Sequence, residues 1–202
     1  MADLIDSQET VTQNVDVREL TEGLDVQTYY LAQTSDSSGI NNIMTKSLIY
    51  SNNIVENHDN GGDDDYDSDA FNRPRTLDGT IHFTGFIAYQ QNDTPPALSV
   101  SVKVYHYDGS TETQLGSTWT AQSLSPAGTQ KNTILNGFVT LSSPKKFRKG
   151  DKIRFNLITT ATTTNVKYGT DPQNRSSGSY FDTTDENQST QFIVRVPFKS
   201  LG

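Results

Sequence analysis

The sequence predicts an all-β protein, an antiparallel β-sandwich of the jelly-roll type preceded by an N-terminal arm. Apolar residues recur with a two-residue period in separate segments, Gly, Pro, Asp and Asn punctuate those segments, and no convincing helix lies between them. Strand signals spaced roughly 10–20 residues apart favour an antiparallel sandwich over an α/β fold.

Residues 1–22 are polar and acidic with weak apolar spacing at Val11, Val15 and Val17, and read as an arm or edge strand; residues 23–202 read as the sandwich domain. Val26-Gln27-Thr28-Tyr29-Tyr30-Leu31 is β-rich, Ser35-Asp36-Ser37-Ser38-Gly39 a turn, and Ile43 to Tyr50 a second strand. Asn57 to Arg75 reads as a long acidic loop. Ile81, Phe83, Gly85, Ile87 and Tyr89 then share one phase, and Phe86 falls outside it. After the Asn92 to Pro96 turn, Leu98, Val100, Val102 and Val104 alternate cleanly with Ser99, Ser101, Lys103 and Tyr105. Asp108-Gly109 signals a hairpin into Thr113 to Trp119. A Ser-Pro-Ala-Gly loop at 125–128 precedes Leu135, Gly137, Val139 and Leu141, again in phase. Lys149-Gly150-Asp151 is a tight turn, because glycine takes positive φ freely and aspartate bonds nearby amides. Ile153, Phe155 and Leu157 follow on one face with Arg154 and Asn156 on the other. The chain ends with Phe192, Val194, Val196 and Phe198 in phase.

Net charge is −8, with 16 basic residues against 24 acidic ones, so no basic footprint for direct nucleic-acid binding is present. There is no cysteine, which removes disulfides, thiol chemistry and thiolate zinc sites. The first nine residues, Met1 to Glu9, lack the pattern of a secretory signal, and no apolar run reaches the roughly 18 residues of a membrane span.

Catalytic motifs are missing. His58, His82 and His106 are scattered, without a His-Glu-x-x-His motif or a Gly-x-Ser-x-Gly elbow, and read as loop or strand-surface residues. A carboxylate pair for glycoside chemistry needs only spatial proximity, and nothing in the sequence points to one. The expectation is therefore no enzyme, no catalytic residue, no cofactor and no metal requirement. The five aspartates within Asp63 to Asp69 are the one acidic cluster suited to a hard cation, but the EF-hand pattern fails. Counting from Asp63 places Ser68 and Pro74, and counting from Asp65 places Ala70 and Thr76, where glycine and glutamate belong. A solvated acidic loop is the expected reading. Lys149-Gly150-Asp151 reads as a turn before an adhesion motif. The Asn-x-Ser/Thr patterns at Asn92, Asn174 and Asn187 read as unused. Tyr89, Tyr105, Tyr107 and Trp119 would make a sugar-stacking platform only if all faced outward; core or interface packing is the expected reading.

The Phe147 to Leu157 strand with its Lys-Gly-Asp turn, the Tyr168 to Arg175 segment with Asp171-Pro172-Gln173-Asn174-Arg175, and the terminal Val194 to Phe198 strand together resemble small β-sandwich structural proteins of tailed viruses. A looser likeness covers Glu22 to Tyr50 through Thr28-Tyr29-Tyr30-Leu31-Ala32 and Asn41-Asn42-Ile43. Together these span under half the chain and carry no active-site residue. The resemblance implies a tumour-necrosis-factor-like jelly roll serving as a head decoration, cement or minor capsid protein. It also implies a homotrimer, the major capsid protein as partner, and location in the virion after synthesis in the host cytoplasm. The competing class is a carbohydrate- or receptor-binding sandwich at a fibre or tail tip. Phe86 and Phe138, out of phase with their neighbours, are the expected subunit-contact residues.

Overall fold

The computed structural model describes residues 24–36, 39–59, 61–91, 98–121, 124, 129–160, 164–181 and 188–199. The expected arm at 1–22, the Asn92 turn, the 125–128 loop and Asn187 lie outside the described residues. No helix occurs among them. The strands are β1 Leu24–Asp36, β2 Gly39–Thr45, β3 Val55–Asn57, β4 Gly62–Ser68, β5 Arg75–Leu77, β6 Thr80–Gln91, β7 Ser99–Tyr107, β8 Glu112–Thr120, β9 Lys131–Thr140, β10 Lys145–Phe147, β11 Lys152–Thr160, β12 Thr164–Gly169 and β13 Ile193–Lys199.

Their ladders form a sandwich of the jelly-roll type. In one layer the long β6 pairs along one edge with β9 and shares its other edge between β13 and β12, with β3 outside β12 and β1 outside β13. In the other layer β4, β11, β7 and β8 lie side by side, all antiparallel. β2 links the layers: it is antiparallel to β1 and meets β4 in a short parallel stretch at Ile43 and Met44.

The phases read from the sequence are those of the core. Leu98, Val100, Val102 and Val104 are buried, as are Ile153, Phe155 and Leu157, and Phe192, Val194, Val196 and Phe198. Each such side chain contributes about 1.5–3 kcal/mol when fully buried. The layers meet through aromatic rings. Phe83 of β6 stands edge-on to Trp119 of β8 at 4.9 Å and to Phe155 of β11 at 5.6 Å, and Phe192 packs on both Phe83 and Phe155. Gly137 sits in phase with Leu135 and Val139 because a Cβ there would lie 2.2 Å from the Phe83 ring and 2.6 Å from Trp119.

Several expectations need correction. The 35–39 turn is tighter than expected, since β1 runs to Asp36 and β2 resumes at Gly39, and β2 ends at Thr45 rather than near Tyr50. Beyond it the chain is held by side chains. Asp171, fully buried, accepts from Arg175 Nε at 2.8 Å, and Arg175 donates to the Ser51 carbonyl at 2.6 Å while stacking on the Tyr50 ring at 3.5 Å. The Asp171 to Arg175 turn is thus a structural knot, with Asn174 at φ 54. The largest correction is the acidic loop. Within 57–75 lie all of β4 and the start of β5.

Candidate functional site

β4 is a strand despite the poor β-propensity of aspartate, and its partner strand explains why. Asp63, Asp65 and Asp67 point outward, and β11 sets Ile158, Asn156 and Arg154 opposite them. Arg154 grips Asp67 through Nε at 2.6 Å and Nη2 at 2.9 Å, reaches Asp65 at 3.1 Å, and also bonds Glu112. Its guanidinium lies 4.2 Å from the Tyr107 ring centre. Asn156 Nδ2 donates to Asp63 at 2.6 Å and Asp65 at 2.8 Å. Cross-strand cations and an amide thus partner the carboxylates of this face. Arg154 lies on the outward face, opposite in phase to the buried Phe155, and this network covers most of it, with Asn156 buried beside it.

The inward face of β4 is different. Asp64, Tyr66 and Ser68 alternate with the outward aspartates, and Asp64 meets residues from β3 and the turn after it. Glu56 lies in β3 opposite Tyr168 of β12. The chain then turns at His58, and Asp59 ties the turn down by accepting from the Val166 amide at 2.6 Å and Lys167 Nζ at 2.8 Å. His58, expected in a solvated acidic loop, lies in the turn between β3 and β4 but is fully buried. Gly62 admits its ring: a Cβ there would stand 2.6 Å from His58 Nδ1.

One ligand atom from each of Glu56, His58 and Asp64 lies within 4.8 Å of the others. His58 Nε2 is 2.8 Å from Asp64 Oδ2, yet it has no aligned hydrogen bond, and Glu56 Oε2 and the Tyr66 hydroxyl are likewise buried without a partner. The other ring nitrogen is fixed. His58 Nδ1 bonds Thr159 Oγ1 at 2.9 Å, which bonds the Tyr168 hydroxyl at 2.6 Å, and the Tyr168 ring stands edge-on to the imidazole at 4.8 Å. Asp64 Oδ1 accepts from Asn42 Nδ2 at 3.1 Å, and Asn42 accepts in turn from Gln33 at 2.8 Å. Burial, reinforced by the Asp64 charge, pushes the Glu56 carboxyl up to about 7. The contact with His58 holds the Asp64 carboxyl below its ordinary value. Burial, and then the Glu56 and Asp64 charges, push the Tyr66 phenol well above its usual value. Sequence reading took the Asp63 to Asp69 run as one unit and missed this cluster. The available signal was the alternation Glu56-x-His58 followed by Asp64-x-Tyr66-x-Ser68.

A second surface lies on the outer face of β6 and β9. Phe138 is 59% exposed and Ile134 46% exposed, and the register sets them opposite His82 and Phe86. Beside Phe138 is a shallow depression of about 360 Å³ lined by His82, Thr84, Asn136 and Arg195. Tyr89, Tyr105, Tyr107 and Trp119 do not share one open outward face. Tyr89 is buried, Trp119 packs on Phe83, and the Tyr107 ring is covered by Arg154.

No protein-family model matches the chain, and no curated protein matches it. Solved structures with a similar arrangement include dimeric latent PorU from Porphyromonas gingivalis, at 9% identity and a TM-score of 0.40, over 88% of this chain and 13% of that one. Eiger TNF from S. frugiperda is 9% identical with a TM-score of 0.30, over 89% of this chain and 96% of that one. A chain of the infectious bursal disease virus Gt strain is 9% identical with a TM-score of 0.27, over 82% of this chain and 45% of that one. At these values neither family nor activity passes to this chain.

Proposed function

We propose that this chain is a non-catalytic structural component of a virus particle, a homo-oligomer that decorates or cements the head or serves as a minor capsid protein. The observation that supports this most is the outer face of β6 and β9. There Phe138 and Ile134 project from a sheet beside a shallow depression, an arrangement that a symmetry copy would bury. Phe138, singled out from the sequence as a contact residue, is the more exposed of the two. Phe86, opposite Ile134, adds apolar surface to it. The trimeric state, the partnership with a major capsid protein and the virion location follow from the resemblance to small structural proteins of tailed viruses.

Sedimentation equilibrium of the wild type and Phe138→Asp tests the reading. The wild type is expected as a closed oligomer and the variant as a folded monomer, since an exposed side chain can change without disturbing the core. Mass spectrometry of purified particles is expected to find the chain. A monomeric wild type that binds glycans, or absence from particles, would transfer the assignment to the carbohydrate-binding class.

A further inference from the structure

The cluster beneath β4 has more buried polar atoms than protein partners for them. A buried polar atom without a hydrogen bond costs about 1–3 kcal/mol, and Glu56 Oε2, His58 Nε2 and the Tyr66 hydroxyl are all in that position. Two of them belong to residues that, with Asp64, converge from two elements. We propose that Glu56, His58 and Asp64 bind one Zn²⁺ ion, which clamps β3 of one layer to β4 of the other.

The donor set selects the metal. Calcium and magnesium take oxygen ligands, whereas a neutral imidazole nitrogen with two carboxylates suits zinc. Three protein ligands leave a fourth position for water, and Asp64, 30% exposed, opens the cluster to solvent. Zinc bonds of about 2.0–2.1 Å place tetrahedral ligands roughly 3.3 Å apart, so the His58–Asp64 contact of 2.8 Å would open slightly and the rest of the cluster, which spans up to 4.8 Å, would close on the ion. The contact is close but lacks hydrogen-bond alignment. Two ligands of one ion share that geometry, because the ion occupies the ring-nitrogen axis and the carboxylate stands beside it.

The surroundings are those of an oriented ligand set. With the metal on Nε2, His58 would keep its proton on Nδ1, where Thr159 Oγ1 stands 2.9 Å away to accept it. Asn42 fixes Asp64 Oδ1 and leaves Oδ2 towards the imidazole. Gly62 supplies the space the ring occupies. The outward aspartates of the same strand show none of this, since Arg154, Lys152 and Asn156 already hold them.

The test uses the full chain, stripped with chelator and titrated with ZnCl₂ by calorimetry, with thermal melts alongside. One equivalent of Zn²⁺ is expected, with a rise in Tm of roughly 5–10 °C at a hundredfold excess over Kd. CaCl₂ is expected to produce neither. Glu56→Gln and Asp64→Asn keep side-chain shape and should each weaken zinc binding at least about 100-fold, beyond the range for loss of an outer partner. Asn42→Ala removes no ligand, only the bond that orients Asp64, and should weaken it about 10–100-fold. It serves as the reading if an amide variant fails to fold. A wild type that takes up no stoichiometric zinc, variants that bind as tightly as the wild type, or preference for calcium would each overturn the proposal.

Discussion

Two histidine–aspartate pairs sit at opposite ends of β11, and they differ in what surrounds them. At its start, His106 Nε2 bonds Asp151 Oδ2 at 2.6 Å, and the same oxygen accepts the Arg148 amide at 2.7 Å. The imidazole rests edge-on against Phe147 at 4.8 Å. Near its end, His58 Nε2 stands 2.8 Å from Asp64 Oδ2, with Tyr168 edge-on at the same 4.8 Å. The first pair is complete: aligned, and with the carboxylate bonded again to the turn it closes. The second is crowded by Glu56 and Tyr66, and its facing nitrogen has no aligned donor–acceptor partner. Residue type and distance are nearly the same in both. What separates a structural pair from a binding site is the polar capacity left over.

The largest effect should come from the strand joining the pairs. Phe155, fully buried between Phe83 and Phe192, is expected to cost about 3–5 kcal/mol on truncation to alanine, measured by urea unfolding. Loss of this size should also weaken both ends of β11, so zinc affinity is expected to fall with stability in Phe155→Ala.

Asp151→Asn is the next largest and acts on the complete pair alone. Burial by itself would raise the Asp151 carboxyl, but the bonds from His106 and the Arg148 amide bring it below the ordinary 3.8. A carboxylate with a lowered folded-state value stabilises above its unfolded value and loses that contribution as pH falls through the folded one. The wild type should therefore exceed Asp151→Asn by about 1.5–3 kcal/mol at pH 7, the range for a charged hydrogen bond. The gap should close below pH 3.8. A gap that persists at low pH would mean that shape, rather than charge, holds this turn.

The two pairs were unequally legible in the sequence. Lys149-Gly150-Asp151 announced a turn because glycine and aspartate signal one locally, and Gly150 indeed takes φ 97. The phases of Ile153, Phe155 and Leu157, and of Phe192 to Phe198, were legible because one apolar face against a core leaves a two-residue period. β4 was not. Its neutralisation depends on Arg154 and Asn156 standing opposite Asp67 and Asp65, a register set by pairing across some 90 residues and invisible to a local reading. His58 was hidden for the same reason, since its burial depends on β12, on Thr159 of β11 and on the gap at Gly62.

The smallest effect has the most diagnostic sign. The Tyr66 hydroxyl is buried without a hydrogen-bond partner, close enough to Glu56 and Asp64 to feel their charges. Removing a polar group that has lost water and gained nothing in return relieves its desolvation cost, so Tyr66→Phe should leave the chelated protein equally stable or up to about 1 kcal/mol more stable. Most substitutions of a fully buried tyrosine would do the opposite. Equilibrium unfolding in excess chelator reads the difference directly. A loss of 1 kcal/mol or more, roughly one ordinary hydrogen bond, would show that the hydroxyl is satisfied even without metal. The polar surplus separating the His58 pair from the His106 pair would then be smaller by one group.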